Sequence, residues 1–223
     1  MKTMNSLFFG EKYNAYLKRL MDVVLASILL LIFSPVCFVV AIAIKLDSEG
    51  PVFADVPERV GQNDNLFTMF KFRSMIKNAH VLLHTDARFK TLFQQYQKDS
   101  YKLKDDPRVT AVGKMIRKHS LDEIPQLINV LRGEMSIVGP RAYYPDELEN
   151  QQKKHPDTKK FVAMVLSVKP GITGLWQVSG RSEVHFDKRI ALDAEYIKSI
   201  SFFEDIRIIF KTPIVMITGR GAV

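Results

Sequence analysis

The chain has 223 residues, 47% of them apolar and 25% charged, which suits one catalytic-sized domain with an anchor better than two full domains. Its single cysteine, Cys37, excludes an intrachain disulfide. A formal net charge of +8 and a pI near 9.5 favour anionic partners, but the chain has neither zinc-ligand spacing nor a Gly/aromatic ribonucleoprotein signature, which argues against nucleic acid.

From Val23 to Ile44 every residue is apolar or small except Ser27, Ser34 and Pro35, and Lys18, Arg19 and Asp22 stand before the run with Lys45 and Asp47 after it. As one helix it would measure about 33 Å, enough to cross a bilayer core. Pro35, however, offers no N–H to the carbonyl of Leu31 and crowds it, so a kink or break is expected at Ser34-Pro35, with Ser34 able to bond the freed backbone. Positive residues flank both outer ends, so a kinked spanning helix and a re-entrant hairpin with both ends on the cytoplasmic side compete. Ala41-Ile42-Ala43 resembles a cleavage site, but the apolar run is longer than a signal peptide's.

Ser48-Glu49-Gly50-Pro51 and Gly61-Gln62-Asn63-Asp64-Asn65 are turn signals. Val52-Phe53 and Leu66 to Arg73 read as extended, Phe70 and Phe72 on one face and Lys71 and Arg73 on a solvated basic face. Ile76 to Tyr101 is expected to be helical, closed by Asp105-Asp106-Pro107. Lys153 to Asp157 reads as a surface loop, and Lys169-Pro170-Gly171 with Thr173-Gly174 as a turn-rich stretch. Near the end, Phe202, Phe203, Ile206, Ile209, Phe210, Pro213 and Met216 recur at three-to-four spacing, with Glu204, Asp205, Arg207 and Lys211 on other faces. That is an amphipathic segment, for core packing or for docking at a membrane interface.

Chemistry concentrates between Asp106 and Arg141. Leu127, Ile128, Val130 and Leu131 form an apolar helical face ended by Gly133, so a helix should run from near Asp122 to Arg132. Ser120-Leu121-Asp122-Glu123 matches a capping box, which would make Glu123 structural. A later start, at Leu121 or Asp122, is favoured because the missing N–H of Pro125 then costs nothing. Either way two carboxylates lie in a first helical turn, where backbone N–H groups favour negative charge, and they point about 100° apart, so they should divide roles. Arg108, Arg117, Arg141, Lys71 and Arg73 could supply the positive clamp of phosphoryl transfer.

Taken together, the chain resembles the bacterial sugar transferases of the monotopic polyprenyl-phosphate phosphoglycosyl transferase family over nearly everything after residue 17. The resemblance rests on Lys18-Arg19 with Asp22, Ser34-Pro35, Ser48 to Val52, Glu58-Arg59-Val60-Gly61, Lys71 to Met75, Ser120 to Gln126, Met135 to Arg141, Pro170 to Arg181, and Leu192-Asp193 with Tyr196. It implies an α+β, helix-rich fold: an N-terminal helix and re-entrant membrane hairpin (1–47) bent at Ser34-Pro35, amphipathic interface helices, and a single catalytic domain (48–223, tail included) on the cytoplasmic face of the bacterial inner membrane. It further implies that Asp122 attacks the phosphate next to the sugar of a UDP-sugar, releasing UMP, and that polyprenyl (undecaprenyl) phosphate then takes the phosphosugar to initiate a lipid-linked glycan. Mg2+ would sit on Glu123, with Lys71, Arg117 and Arg141 near the phosphates, Asp193 supporting, and Arg73 and Arg181 further out. Membrane lipids are expected partners, and a homodimer stays open. One feature departs from the family's pattern, Val56-Pro57-Glu58-Arg59 standing where a Gln usually precedes Arg-Val-Gly; the chain is expected to be the compact form, without the extra helices and domain of longer members. The competing reading is a non-catalytic membrane-surface scaffold that holds polyanions.

Overall fold

The computed structural model describes residues 13–98, 103, 106–180 and 185–218. A π-helical turn, Tyr13–Leu17, leads into a 30-residue helix, Lys18–Asp47 (α1), which contains Pro35. The proline removes one hydrogen bond without ending the helix, because the Ser34 hydroxyl donates to the Leu31 carbonyl at 2.8 Å, the acceptor that Pro35 leaves unserved. The expected break is therefore a defect inside one helix, not a gap between two.

α1 is long and apolar enough to cross a membrane, and only 11% of its most apolar 18-residue window is buried. Its two limbs rest on the folded domain while its middle does not. Ala26 is buried, with Leu25, Leu29 and Leu30 packed beside it, against Leu127 and Val130; toward the other end Val40 and Ile44 are buried against Phe72 and Ile116, and Cys37 packs there too. Between them Leu31 is 77% and Ile32 61% exposed.

Two small sheets follow. Arg59–Val60 (β1) pairs antiparallel with Leu66–Phe67 (β2), and Phe53 bridges Phe72, their rings stacked 5.8 Å apart. The expected strand to Arg73 thus shrinks to β2 plus a bridge. Arg73 is only 5% exposed, so its face of the segment is not solvated: its guanidinium donates to the carbonyls of Ile44, Ser48 and Glu49 and closes the C-terminal end of α1. Gly50, at φ +123°, passes so close to that guanidinium that a β-carbon would collide with it.

The stretch expected as one helix from Ile76 is broken into Ala79–Thr85 (α2), a 3-10 turn at Ala87–Phe89 and Lys90–Lys98 (α3), because Asp86 turns extended and its side chain accepts from the Arg88 N–H. Its expected end, residues 99–101, and Asp105 lie outside the described residues. Ala111–Lys118 (α4), capped by Thr110, packs so tightly on the Ser74 backbone that Gly113 cannot carry a side chain. Gln126–Arg132 (α5) ends at Gly133, φ +81°. Ser136–Val138 (β3) pairs in parallel with Gly171–Thr173 (β4), so the turn-rich stretch also supplies a strand. Pro145–Lys154 (α6) extends through Lys153 and Lys154, which were expected in a loop, and is followed by Lys159–Val165 (α7), Leu175–Val178 (α8), Phe186–Lys198 (α9) and Phe202–Thr218 (α10).

α10 packs one face into the core and leaves another open: Ile208 is fully buried, whereas Phe203, Phe210 and Ile214 are 60%, 73% and 63% exposed. Asp205, expected on a polar face, is fully buried. It accepts from Lys18 Nζ at 2.5 Å, Tyr13 Oη at 2.7 Å and Tyr196 Oη at 2.6 Å. One turn along α1, Asp22 accepts from the Ser136 hydroxyl and the Ile137 N–H. The residues read as flanks of a membrane run are thus the dock of its first limb.

Candidate active site

A cleft of about 580 Å³ opens between the 71–78 segment, the end of α4, the turn before α5 and the start of α8. Asp122, Glu123, Lys71, Arg73, Arg117 and Arg141 all line it. Asn129, itself fully buried, holds the approach to Lys71: its amide donates to the Thr68 carbonyl and its carbonyl accepts from the Phe70 N–H. Phe72 N–H then donates to the Asp122 carbonyl, fastening the basic segment to the acidic turn.

That turn is not the regular helix start that the pattern suggests. Leu121–Glu123 is a single 3-10 turn, Pro125 occupies the N-cap of α5, and Ser120 sits in the left-handed region (φ 53°) with no side-chain cap bond. The Ser120 N–H donates to the Arg117 carbonyl and the capping box does not form, so Glu123 bonds Ser120 through its backbone N–H and not as a side-chain cap. Its side chain reaches into the cleft instead, where Lys71 Nζ donates to its Oε1 at 2.7 Å. The later start was the better expectation, and Pro125 enforces it.

Asp122 is 8% exposed. Burial pushes its carboxyl up to about 6, with Glu123 adding to the rise and Lys71 and Arg117 opposing it. The expected helix-end stabilisation is thus outweighed by desolvation, yet at neutral pH the group is still mostly an ionised carboxylate. Arg141 lies across from it, its guanidinium carbon 5.4 Å from the Trp176 ring centre. Behind Arg141, the fully buried Asp193 accepts from the Arg141 N–H at 3.1 Å and from Tyr143 Oη at 3.0 Å, while its Oδ1 has no hydrogen-bond partner. Burial pushes its carboxyl up to about 7. Asp193 does not line the cleft; it sets the backbone that carries Arg141.

The other candidates part from this group. Arg73 lines the wall but is committed to the end of α1, and Arg108 is held by Asp106 through Nε and Nη2, with Nη1 on the Ala79 carbonyl. Arg181 lies outside the described residues. Sequence reasoning missed Gln126, 3% exposed on the cleft floor, and the buried Arg189–Glu147 pair under Trp176.

Among the described residues no group of three or more His, Cys, Asp or Glu could hold a metal. A magnesium site needs fewer protein ligands, since one or two carboxylates suffice when substrate phosphates and water complete the shell. Glu123, whose side chain is 38% exposed into the cleft, fits that mode.

Residues 13–219 match the family model described as bacterial sugar transferase. The chain is 42% identical over 214 residues to the undecaprenyl-phosphate galactose phosphotransferase of Salmonella typhimurium, covering 96% of this chain and 43% of that one. It is 40% identical over 211 residues to the UDP-glucose:undecaprenyl-phosphate glucose-1-phosphate transferase of Escherichia coli (89% and 40%). It also matches the exopolysaccharide production protein ExoY of Rhizobium meliloti, at 40% identity over 205 residues, 92% of this chain and 87% of that one. The chain therefore spans less than half of the first two relatives and most of the third. With the family model matched from the π-helical turn to the last turn of α10, the chain belongs to the bacterial sugar transferase family.

Proposed function

We propose that this protein moves a sugar 1-phosphate from a UDP-sugar to a polyprenyl phosphate such as undecaprenyl phosphate, through a covalent intermediate on Asp122. The observation that carries the reading is a nearly buried carboxylate opening on a cleft lined by Lys71, Arg117 and Arg141. The names of the Salmonella and Escherichia coli relatives point to the same acceptor.

In the first step an Asp122 oxygen attacks the phosphorus next to the sugar, the bond from that phosphorus to the bridging oxygen breaks, and UMP leaves with the electron pair. In the second an oxygen of the polyprenyl phosphate attacks the same phosphorus and the carboxylate is released. Burial sharpens Asp122 as a nucleophile by removing its water, and its neighbouring cations keep it ionised. Lys71 and Arg117 balance the pyrophosphate, and Arg141, steadied by Asp193 and stacked on Trp176, adds a third cation. Glu123 would hold Mg2+, which supplies charge neutralisation on the phosphates. Lys71 orients the Glu123 carboxylate for that task.

The topology reading goes with it. A helix of 30 residues would be about 45 Å long if straight, and a spanning helix puts its two ends on opposite sides of a bilayer. Here both limbs rest on one domain and the middle is exposed, which supports α1 as a re-entrant anchor (1–47) beneath a catalytic domain (48–223) on the cytoplasmic face of the membrane. The exposed Phe203, Phe210 and Ile214 of α10 suit the same interface.

The test is a single-turnover assay without acceptor. Enzyme mixed with UDP-sugar should release up to one UMP per active site and gain the mass of a phosphosugar at Asp122, and EDTA or Glu123→Gln should suppress both. Release of UDP, or UMP formation that strictly requires the lipid acceptor, would reject the covalent route.

A further inference from the structure

Beyond the phosphate-facing residues, the cleft continues into a smaller chamber of about 170 Å³, and the two share Pro57, His80, Tyr96 and Tyr144 as walls. His84 and Asp146 line its far side. Nothing in the phosphoryl-transfer scheme uses these residues.

The chemistry here differs from that of the cleft floor. The nearby guanidiniums are engaged: Arg59 lies 3.2 Å over the Tyr144 ring and donates to the Ala142 carbonyl, and Arg108 is held by Asp106. What lines the space is a set of imidazoles and phenols, with Tyr96 and Tyr144 hydrogen-bonded to each other through their side chains. Burial, with His84 and Arg108 close by, lowers the His80 imidazole from its ordinary range, which favours its neutral form. A neutral imidazole donates one hydrogen bond and accepts another, and a phenol that already shares one bond keeps further capacity, so both suit the hydroxyls of a sugar ring. A flat base would want an aromatic face instead. The Tyr144 face is covered by Arg59, and the His84 ring is tilted against His80 at 4.4 Å and against Phe93 at 4.6 Å. Pro57 forms part of the wall between the two spaces.

We propose that this chamber receives the hexose of the nucleotide sugar, with His80 and Tyr96 selecting among hexoses by hydrogen bonds to the ring hydroxyls and Pro57 setting the width of the entrance. The inference rests on the phosphosugar-transfer reading above and adds to it a location for the donor's sugar.

The experiment uses the full chain in lipid nanodiscs with undecaprenyl phosphate as acceptor. UMP release is measured with UDP-glucose, UDP-galactose and UDP-N-acetylglucosamine for the parent, His80→Ala, Tyr96→Phe and Pro57→Gln. The inhibition constant of UMP is measured alongside and reports an intact cleft in each variant. The proposal expects the ratios of kcat/KM among donors to change by about fivefold or more in His80→Ala and Tyr96→Phe, since a site built to bond a hydroxyl discriminates strongly against its misplacement. UMP inhibition should stay within about twofold of the parent, as the nucleotide keeps its own contacts. If all donors fall in parallel with unchanged ratios, the chamber does not read the sugar. If UMP inhibition weakens while ratios hold, it takes the nucleoside instead. A parent enzyme that releases UDP in place of UMP would overturn the transfer reading itself, whereas UMP release with invariant ratios would overturn only the hexose assignment.

Discussion

Two charge clusters, one docking α1 and one lining the cleft, are built on opposite plans. At its first limb Lys18, Asp205, Tyr196 and Tyr13 close on one another, with both members of the ion pair at or below 7% side-chain exposure. At the cleft, Lys71 and Glu123 are paired but 21% and 38% exposed, and Asp122 stands beside them with its carboxylate against burial. A closed buried pair strongly resists losing one partner. A cluster left partly open is held ready for charges that arrive with a ligand. The same residue types thus make a fastener in one place and, in the proposed reaction, a receptor in the other.

The largest expected effect comes from the open cluster. Asp122→Asn removes the attacking charge with little change of shape, and phosphosugar transfer should fall by roughly a thousandfold or more in a UMP-release assay. Because burial raises the Asp122 carboxyl, the neutral side chain should melt no lower than the parent, in calorimetry at neutral pH. A variant that lost stability along with activity would make Asp122 a structural carboxylate and erase the contrast.

The closed cluster should answer the other way. Asp205→Asn leaves the buried Lys18 ammonium without its direct counter-charge, at a cost of about 3–5 kcal/mol in thermal or denaturant unfolding. The fraction that stays folded should keep a near-parental KM for the UDP-sugar. A large KM shift at unchanged melting temperature would show that the dock reports to the cleft.

Asp193 stands between the two plans, closed off from solvent but with one oxygen unbonded. Its folded pKa is raised, so the folded state binds the proton more tightly than the unfolded chain. The associated stability is full below the ordinary carboxylate range and is lost as pH rises toward about 7. Asp193→Asn should flatten that dependence, by on the order of a few kcal/mol between pH 4 and 8 in denaturant titrations. An unchanged slope would mean that another group carries it.

The smallest effect belongs to Ser34→Ala, which strips the Leu31 carbonyl of its donor. About 1 kcal/mol is expected, read as a modest fall in melting temperature in nanodiscs with transfer activity retained.

What was legible in the sequence was mostly local. The Ser34 bond to Leu31 spans three residues, and the acidic turn at Asp122-Glu123 is forced by Pro125 close by, so both could be anticipated. Even the fate of Arg108 was within reach, two residues from Asp106. Arg73 could not be read, because an exposed basic face and a carbonyl clamp share one alternation pattern and only the fold brings Ser48 under it. Asp205 looked like the polar side of an amphipathic helix, since nothing near it in the chain announces the lysine that buries it. The sugar-facing chamber draws on Pro57, His80, Tyr96 and Tyr144, from four separate stretches, and so has no motif.

The partner of Lys18 lies 187 residues downstream. At a synthesis rate of about 5–20 residues per second, the apolar helix leaves the ribosome roughly ten to forty seconds before the aspartate that fastens it exists. Leu127, Val130, Ser136 and Ile137, which pack on or bond the same limb, are made earlier within that interval, so α1 is fastened in stages, its apolar contacts and the Asp22 bonds available before the buried ion pair. The ion pair that secures α1 is thus available only once α10 has been made.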